Sequence, residues 1–306
     1  MFRERMTSYA QNFEDVLLRR LFPERRDGYY IDVGAASPVC HSVTKYFYDR
    51  GWRGINVEPI PSSFDELRRH RPRDVNLNIG LSDRVGRLTF YEAPNSNCWS
   101  ARREMLSEMY GTPDAEIVAR DVAVSTLAAL CAAHVDVEID FLKIDVEDHE
   151  SQVIAGADWD RWRPRAVVVE GGNERWGPTL EAARYHHATF DGVNHYYVRR
   201  EDRELIPRLE YPVNVVDNFV LHEYAEPIAG LTHLLAEARA ELEASRAEAT
   251  ALRSRLDAPD ALGPTARALA MGLQRTARRH RRVASLLRPF FAKRSRPAGV
   301  GSKLGG

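Results

Sequence analysis

The chain has 306 residues, 44% of them hydrophobic, a length that suits one catalytic domain of about 200–250 residues with an appendage. Three cysteines, Cys40, Cys98 and Cys131, have neither paired spacing nor a CxxC, which argues against a disulfide framework or zinc centre and for a reducing, cytoplasmic compartment. The net charge of −1 hides an asymmetry: residues 261–306 hold eleven Lys and Arg and no acid, leaving 32 basic against 44 acidic residues, or −12, before them.

No apolar signal core opens the chain, and no run reaches the roughly 18 apolar residues of a membrane span. Ser8–Phe22 reads as a short amphipathic helix with Val16, Leu17, Leu18, Leu21 and Phe22 inward. Tyr29–Val33 is a short buried strand, followed by a helix over about 42–50 and a second strand, Gly54–Glu58. A helix opens at Pro61 with Ser62 or Ser63 as its cap, and Val75–Ile79 is a third strand running into GLSD, Gly80–Asp83. Arg87–Tyr91 alternates like an edge strand, whereas Asn95–Pro113 reads as a polar, irregular loop around Trp99, in the manner of a substrate lid. Ile117–Val124 is a strand, Ser125 and Thr126 open a helix ending near Ala133, and Ile139–Ile144 is the most central strand. Arg165–Val169 follows, ending in Glu170 and two glycines; His195–Arg199 and Val213–Leu221 suggest an antiparallel hairpin at the sheet edge. This alternation predicts an α/β fold, a mostly parallel sheet with helices on both faces.

The chemistry gathers at strand ends. Asp32 closes the first strand and Gly34 follows it, while Glu58 closes the second, where nucleotide-binding folds hold ribose hydroxyls. The dinucleotide fingerprint G-x-G-x-x-G is absent, and a pyrophosphate would need more open backbone amides than one glycine provides. A ligand with ribose hydroxyls and positive charge but no phosphate, S-adenosylmethionine, fits better than a nicotinamide dinucleotide.

Eight blocks in order, SYAQNFED, GYYIDVGA, RGWRGINVEP, RPRDVNLNIGLSD, IDFLKIDVEDHE, RPRAVVVE, FDGVNHYYV and VNVVDNF, resemble the FkbM-type methyltransferases over about residues 8–224. These are class I S-adenosylmethionine-dependent enzymes with a Rossmann-like, mostly parallel seven-stranded sheet. The last two blocks resemble a subgroup associated with surface-polysaccharide and glycan biosynthesis, which implies a sugar hydroxyl as acceptor. By position, the resemblance puts Asp32, Gly34 and Ala35 at the methionine end, Glu58 on the ribose, and Ser82 and Asp83 near the adenine. Asp145 and Glu147, from the family's D-V-E-G block, would face the acceptor. The family's glycine is Asp148 here, which questions the tight turn, and Ser37–His41 replaces the usual small-polar pattern.

Methylating a poor nucleophile such as a sugar hydroxyl requires alignment and a proton acceptor. Asp145, Glu147 and His149 are the candidates; Glu150 reads as a helix-dipole acid. Oxygen ligands at Asp145 and Glu147 are compatible with a divalent ion such as magnesium, although the spacing does not require one. His186, His187 and His195 read as structural, and Trp52, Trp159, Trp162 and Trp176 as packing residues.

Leu235, Ala238, Leu242, Ser245, Ala249, Leu252 and Leu256 form a heptad seam, so 227–258 reads either as a coiled-coil segment with residues 231–256 as a homodimer contact, or as one solvated helix docked on the catalytic domain. Residues 259–306 form a basic amphipathic tail, disordered from 293, whose arginines, Leu286, Leu287, Phe290 and Phe291 suit an anionic membrane surface better than nucleic acid. The sequence thus predicts a sugar O-methyltransferase in residues 1–226, cytoplasmic or peripheral at the inner membrane face. The competing expectations are a nicotinamide-dependent sugar oxidoreductase and a glycan-assembly scaffold without turnover.

Overall fold

The computed structural model describes residues 4–93, 98–110 and 116–257, with Gly263, Gly272 and Thr276 besides. The chain divides into two compact units, Met1–Pro227 and Ile228–Gly306. In the first, the apolar runs become strands β2 (Tyr29–Val33), β3 (Arg53–Val57), β4 (Val75–Leu77), β9 (Phe141–Ile144) and β10 (Ala166–Glu170), all parallel, followed by β11 (Tyr185–Phe190) and β12 (Asn194–Arg199). Their order is β11-β12-β10-β9-β2-β3-β4, with β12 antiparallel to both neighbours. The order reverses between β2 and β9, so a crevice opens beyond their carboxyl ends.

Both faces of this sheet are covered. Ile31, Val33, Ile55, Leu142, Ile144, Val167 and Val169 pack against α5 (Leu127–His134), α6 (Glu150–Ala155) and α7 (Gly177–Ala182). Tyr30, Phe141, Val168 and Tyr196 pack against α1 (Glu14–Leu21), α2 (Lys45–Asp49) and a 3₁₀ segment, Arg200–Leu209. On that second face one row is polar: Asn76, Asn56, Asp32 and Lys143 are register partners across β4, β3, β2 and β9. A buried row of this kind must be paired internally. Asn56 Nδ2 accordingly donates to Asn76 Oδ1 at 2.9 Å and to Asp74 Oδ2 at 3.0 Å.

The structure corrects several expected elements. The helix predicted from Ser8 starts only at Glu14, because the buried Asp15 carboxylate accepts from the Ser8 hydroxyl (2.7 Å) and the Tyr9 amide (2.7 Å), folding the preceding residues into a turn. Met6–Ser8 is instead a strand, β1, paired in parallel with β13 (Phe219–Leu221). The edge hairpin is β11–β12, not His195–Arg199 with Val213–Leu221, and it turns at Asp191-Gly192. Helix α3 (Pro61–His70) starts at Pro61 itself, whose fixed φ suits a first helical position, so Ser62 and Ser63 lie inside the helix. The expected strands Arg87–Tyr91 and Ile117–Val124 belong to a separate four-stranded sheet, β5 (Gly80–Leu81), β8 (Val118–Ser125), β6 (Gly86–Ala93) and β7 (Cys98–Ser100). The expected lid contains β7 and helix α4 (Arg103–Tyr110), rather than an irregular loop; its residues 94–97 and 111–115 lie outside the described residues.

In the second unit, helix α8 (His222–Asp257), which starts six residues before the unit boundary, carries the predicted seam. The basic tail lies outside the described residues, except for the three isolated positions above. Among the described residues no helix is long and apolar enough to cross a membrane.

Candidate active site

A cleft lies at the switch point, lined by Gly34, Ala36, Glu58, Pro59, Ile60, Phe90, Trp99, Asp145, Val146, Glu147 and His149, among others. Its floor is the turn after β2. Gly34 has φ +78°, and a Cβ there would lie 1.8 Å from the Asp145 carbonyl oxygen, so only glycine lets the two strand-end turns touch. The atypical Ser37–His41 stretch is rigidly held: Ser37 Oγ accepts from the Val39 and Cys40 amides, and the buried Arg71 donates to the Pro38 carbonyl at 2.6 Å.

Glu58 is buried beside this turn. Its carboxylate accepts from the Ala36 amide (2.7 Å) and the Ile60 amide (2.7 Å), yet burial outweighs both donors and pushes it up to about 7. Asp32 lies beneath, with Oδ2 accepting from Thr44 at 2.9 Å and Oδ1 facing Lys143 Nζ at 3.5 Å, an ion pair without a hydrogen bond. Lys143 ties the site together. Its ammonium donates to the Gly34 carbonyl at 2.8 Å and pairs with Asp145 at 3.1 Å. Burial opposes its charge, but Asp145 and Asp32 more than offset this and raise it above the ordinary lysine value.

The same logic governs Asp145. Burial opposes ionisation, but Lys143 and a hydrogen bond with Glu170 win, holding its carboxyl below the usual carboxylate range. That hydrogen bond, reinforced by burial and by the charge of Asp145, pushes Glu170 well above that range, so Glu170 keeps its proton at neutral pH. Two carboxyls share one proton at adjacent strand tips, with the charge on the member next to the lysine.

The turn after Asp145 is tight despite lacking the family's glycine. Glu147 and Asp148 have φ of +54° and +73°, a conformation that aspartate tolerates better than most residues. The segment containing β7 clasps it: Ser100 Oγ donates to the Glu147 carbonyl at 2.9 Å, and Arg102 pairs with Asp148. His149 caps α6, and its Nε2 lies 3.1 Å from Ser82 Oγ; burial lowers its pKa. Glu150 is buried, accepts from the Val146 amide at 3.1 Å and is pushed up to about 7 by burial, so it closes the turn rather than simply facing the helix dipole in water.

The structure therefore brings Gly34, Glu58, Asp145, Glu147 and His149 to one cleft, with Asp32 and the buried Ala35 behind its floor. Ser82 reaches it through His149, and Asp83 turns toward Ser82 and Arg84. Lys143 and Glu170 were missed as site residues, although a lysine inside an apolar strand and a fourth acid at a strand end were both visible signals. His187 and His195 instead contact each other, Nε2 to Nδ1 at 2.9 Å, on the edge hairpin. Trp52, Trp159 and Trp176 are buried and Trp162 packs against the core. Among the described residues no group of three or more His, Cys, Asp or Glu is arranged to hold a metal.

A seven-stranded sheet of this order, with one antiparallel strand near its edge and acids at the ends of its central strands, is a class I methyltransferase fold. Residues 32–194 match the Methyltransferase FkbM domain, and the chain belongs to that family of S-adenosylmethionine-dependent methyltransferases. Among solved structures it is similar to methyltransferase FkbM from Methylobacillus flagellatus KT, at 14% identity and TM-score 0.37, covering 60% of this chain and 47% of that one. The chain thus spans about half the length of that relative. It is also similar to a precorrin-6y C5,15-methyltransferase from Geobacter metallireducens, at 12% identity and TM-score 0.33, covering 65% and 94%, respectively. A TehB-like SAM-dependent methyltransferase from Corynebacterium glutamicum shares 12% identity, with TM-score 0.32, covering 61% and 88%. No curated protein matches the sequence.

The donor set fits this cofactor. Asp32 and Asp145 flank Lys143 and Glu58 lines the same cleft as Asp145, an acidic balance suited to ribose hydroxyls and to a ligand carrying amino and sulfonium charge.

Proposed function

We propose that this chain methylates a hydroxyl of a sugar in glycan or surface-polysaccharide biosynthesis. The observation that carries the reading is Asp145, whose carboxylate is kept ionised by Lys143 and Glu170 and whose side chain remains one-third exposed in a cleft shared with Trp99. A carboxylate and an aromatic ring suit a polyol, which offers hydroxyls to one and a C–H face to the other.

Glu58 would accept from the ribose hydroxyls, Asp32, Gly34 and Ala35 would border the methionine end, and Ser82 with Asp83 the adenine. When bound, the cofactor supplies an electrophilic methyl group on a good leaving group. Asp145 accepts a hydrogen bond from the acceptor hydroxyl and so aligns its lone pair. A depressed carboxylate is a weak base, but an oxygen that has gained a methyl group before losing its proton is a strong acid, so a weak base suffices. Glu147 stands beside the acceptor. His149, kept neutral by burial and engaged with Ser82, shapes the adenosine side. Asp145→Asn should retain S-adenosylhomocysteine binding in calorimetry while turnover with sugar acceptors falls by at least about 10²-fold. Unchanged turnover would remove Asp145 from the chemistry, and a preference for phenols or amines over sugars would remove the acceptor class.

We also propose that the basic tail holds the enzyme at the anionic inner face of a membrane. Eleven cationic side chains without an acid support this, at about 1 kcal/mol each near such a surface. The full chain should co-sediment with anionic vesicles at low salt and not with neutral ones; equal binding to both would reject the electrostatic account.

A further inference from the structure

Among the described residues, the second unit carries a stripe of exposed apolar side chains with a specific charge pattern beside it. In α8, Ile228, Leu231, Leu235, Leu242 and Leu252 are between 37% and 68% exposed. Because the helix already runs at His222, the seam extends a heptad further back than the leucines alone indicate: Ile228, Leu231, Leu235, Ala238, Leu242, Ser245, Ala249, Leu252 and Leu256, at alternating steps of three and four. Nine consecutive positions at that spacing form a stripe that water solvates poorly and a second helix can bury.

The residues beside the stripe decide its partner. Arg239, Arg246 and Arg253 follow the first seam position of successive heptads by four residues, along one side. Glu241 and Glu248 immediately precede the next such position, along the other side. In a parallel, in-register pair of identical helices, each glutamate faces the partner arginine five residues further on: Glu241 meets Arg246, and Glu248 meets Arg253, in both directions across the two-fold axis. In an antiparallel pair, glutamates would face glutamates and arginines would face arginines. Like charges so placed disfavour that arrangement.

We infer that Ile228–Asp257 forms a parallel, in-register, two-stranded coiled coil with a second copy of this chain. Ala238, Ser245 and Ala249 keep its middle narrow, so the stability of the pair rests on the leucine-rich ends and on the flanking charges. The parallel arrangement sends both basic segments, eleven cationic residues from each chain, out from the same end of the coil. Two such segments would engage one anionic surface together, each raising the effective concentration of the other. This inference does not depend on the acceptor or on the cleft.

Sedimentation equilibrium of the full chain should show a dimer at micromolar concentration. E241R/E248R places arginine along both sides and should raise the dissociation constant by roughly tenfold or more, while leaving S-adenosylhomocysteine binding unchanged. The fourfold exchange E241R/E248R/R246E/R253E restores every cross-pair of the parallel dimer and should recover its affinity. Leu231→Cys, near one end of the coil, should form an interchain disulfide with itself under mild oxidation, over the background of the unsubstituted chain. A monomer at all concentrations would overturn the inference. So would a dimer indifferent to the charge reversals, or one that leaves Leu231→Cys uncrosslinked.

Discussion

Glu58 and Asp145 occupy equivalent places, the carboxyl ends of parallel strands or the residue just after, and both line one cleft, yet their protons are governed in opposite ways. Glu58 has two backbone amides and no nearby hydrogen-bonded cation, and burial pushes it up to about 7. Asp145 has Lys143 at 3.1 Å and a protonated neighbour in Glu170, and it stays ionised. Their backbones differ too. Glu58 leads through Pro59 into an ordinary helix start, with Ile60 at φ −74°, whereas Asp145 leads into two left-handed non-glycine residues. The Glu58 end, proposed for the cofactor, is relaxed and close to its titration point; the Asp145 end, proposed for the acceptor, is charged, strained and clasped.

The largest effect expected from breaking this contrast comes from Lys143→Met. It strands Asp145 and Asp32 without their buried cation, and breaking such a pair costs about 3–5 kcal/mol. The sign of the pH dependence follows from both partners. Asp145 titrates below its ordinary 3.8 and Lys143 above its ordinary 10.5, so the pair's contribution is fully present between those values. It is lost as pH falls through the folded value of Asp145 or rises through that of Lys143. Urea unfolding at pH 7 should show the loss, and an unchanged midpoint would mean that Lys143 carries no weight in the site.

Next in size is Glu58→Gln. Ribose hydroxyls donate best to the ionised carboxylate, so in the native chain the affinity for S-adenosylhomocysteine should rise by up to about tenfold per pH unit toward 7 and level off above it. The glutamine variant should bind about 1.5–3 kcal/mol more weakly at pH 8 and lose that pH dependence. Without ligand, the raised value has the opposite consequence. Its stabilising contribution is full below 4.5 and lost as pH rises through about 7, and the variant should be flatter across that window. Calorimetry at several pH values checks the first statement and urea titrations the second.

These contrasts were only partly legible beforehand. Strands ending in acids could be read because a charge at the end of an apolar run has few structural uses, and β2, β3 and β9 were placed correctly for that reason. Lys143 was hidden by the reverse effect: inside FLKI it reads as an interruption of a strand, and only the register places it opposite Asp32. The strand Tyr185–Phe190 was missed because its two histidines and exposed face dilute the apolar pattern, although Asp191-Gly192 is a strong hairpin signal. The pairing of Met6–Ser8 with Phe219–Leu221 joins two three-residue segments over two hundred residues apart, and no local pattern encodes it. That two carboxyls would share a proton could not be read at all, since it depends on β9 and β10 lying side by side.

The smallest effect concerns strain. Asp148 stands where the family has glycine and holds φ +73°, a conformation that costs a side-chain-bearing residue on the order of 1 kcal/mol or more. Asp148→Gly relieves that cost but frees more of the unfolded chain, which offsets about half of the gain. It also removes the partly exposed pair with Arg102, worth about 0–1 kcal/mol. Arg102→Ala alone measures the pair, so subtracting it from Asp148→Gly isolates the backbone term. That term should stabilise by about 0.5–1 kcal/mol in urea unfolding. A neutral or destabilising backbone term would mean that the turn relaxes in solution. The contrast with the unstrained Glu58 turn would then reduce to charge alone.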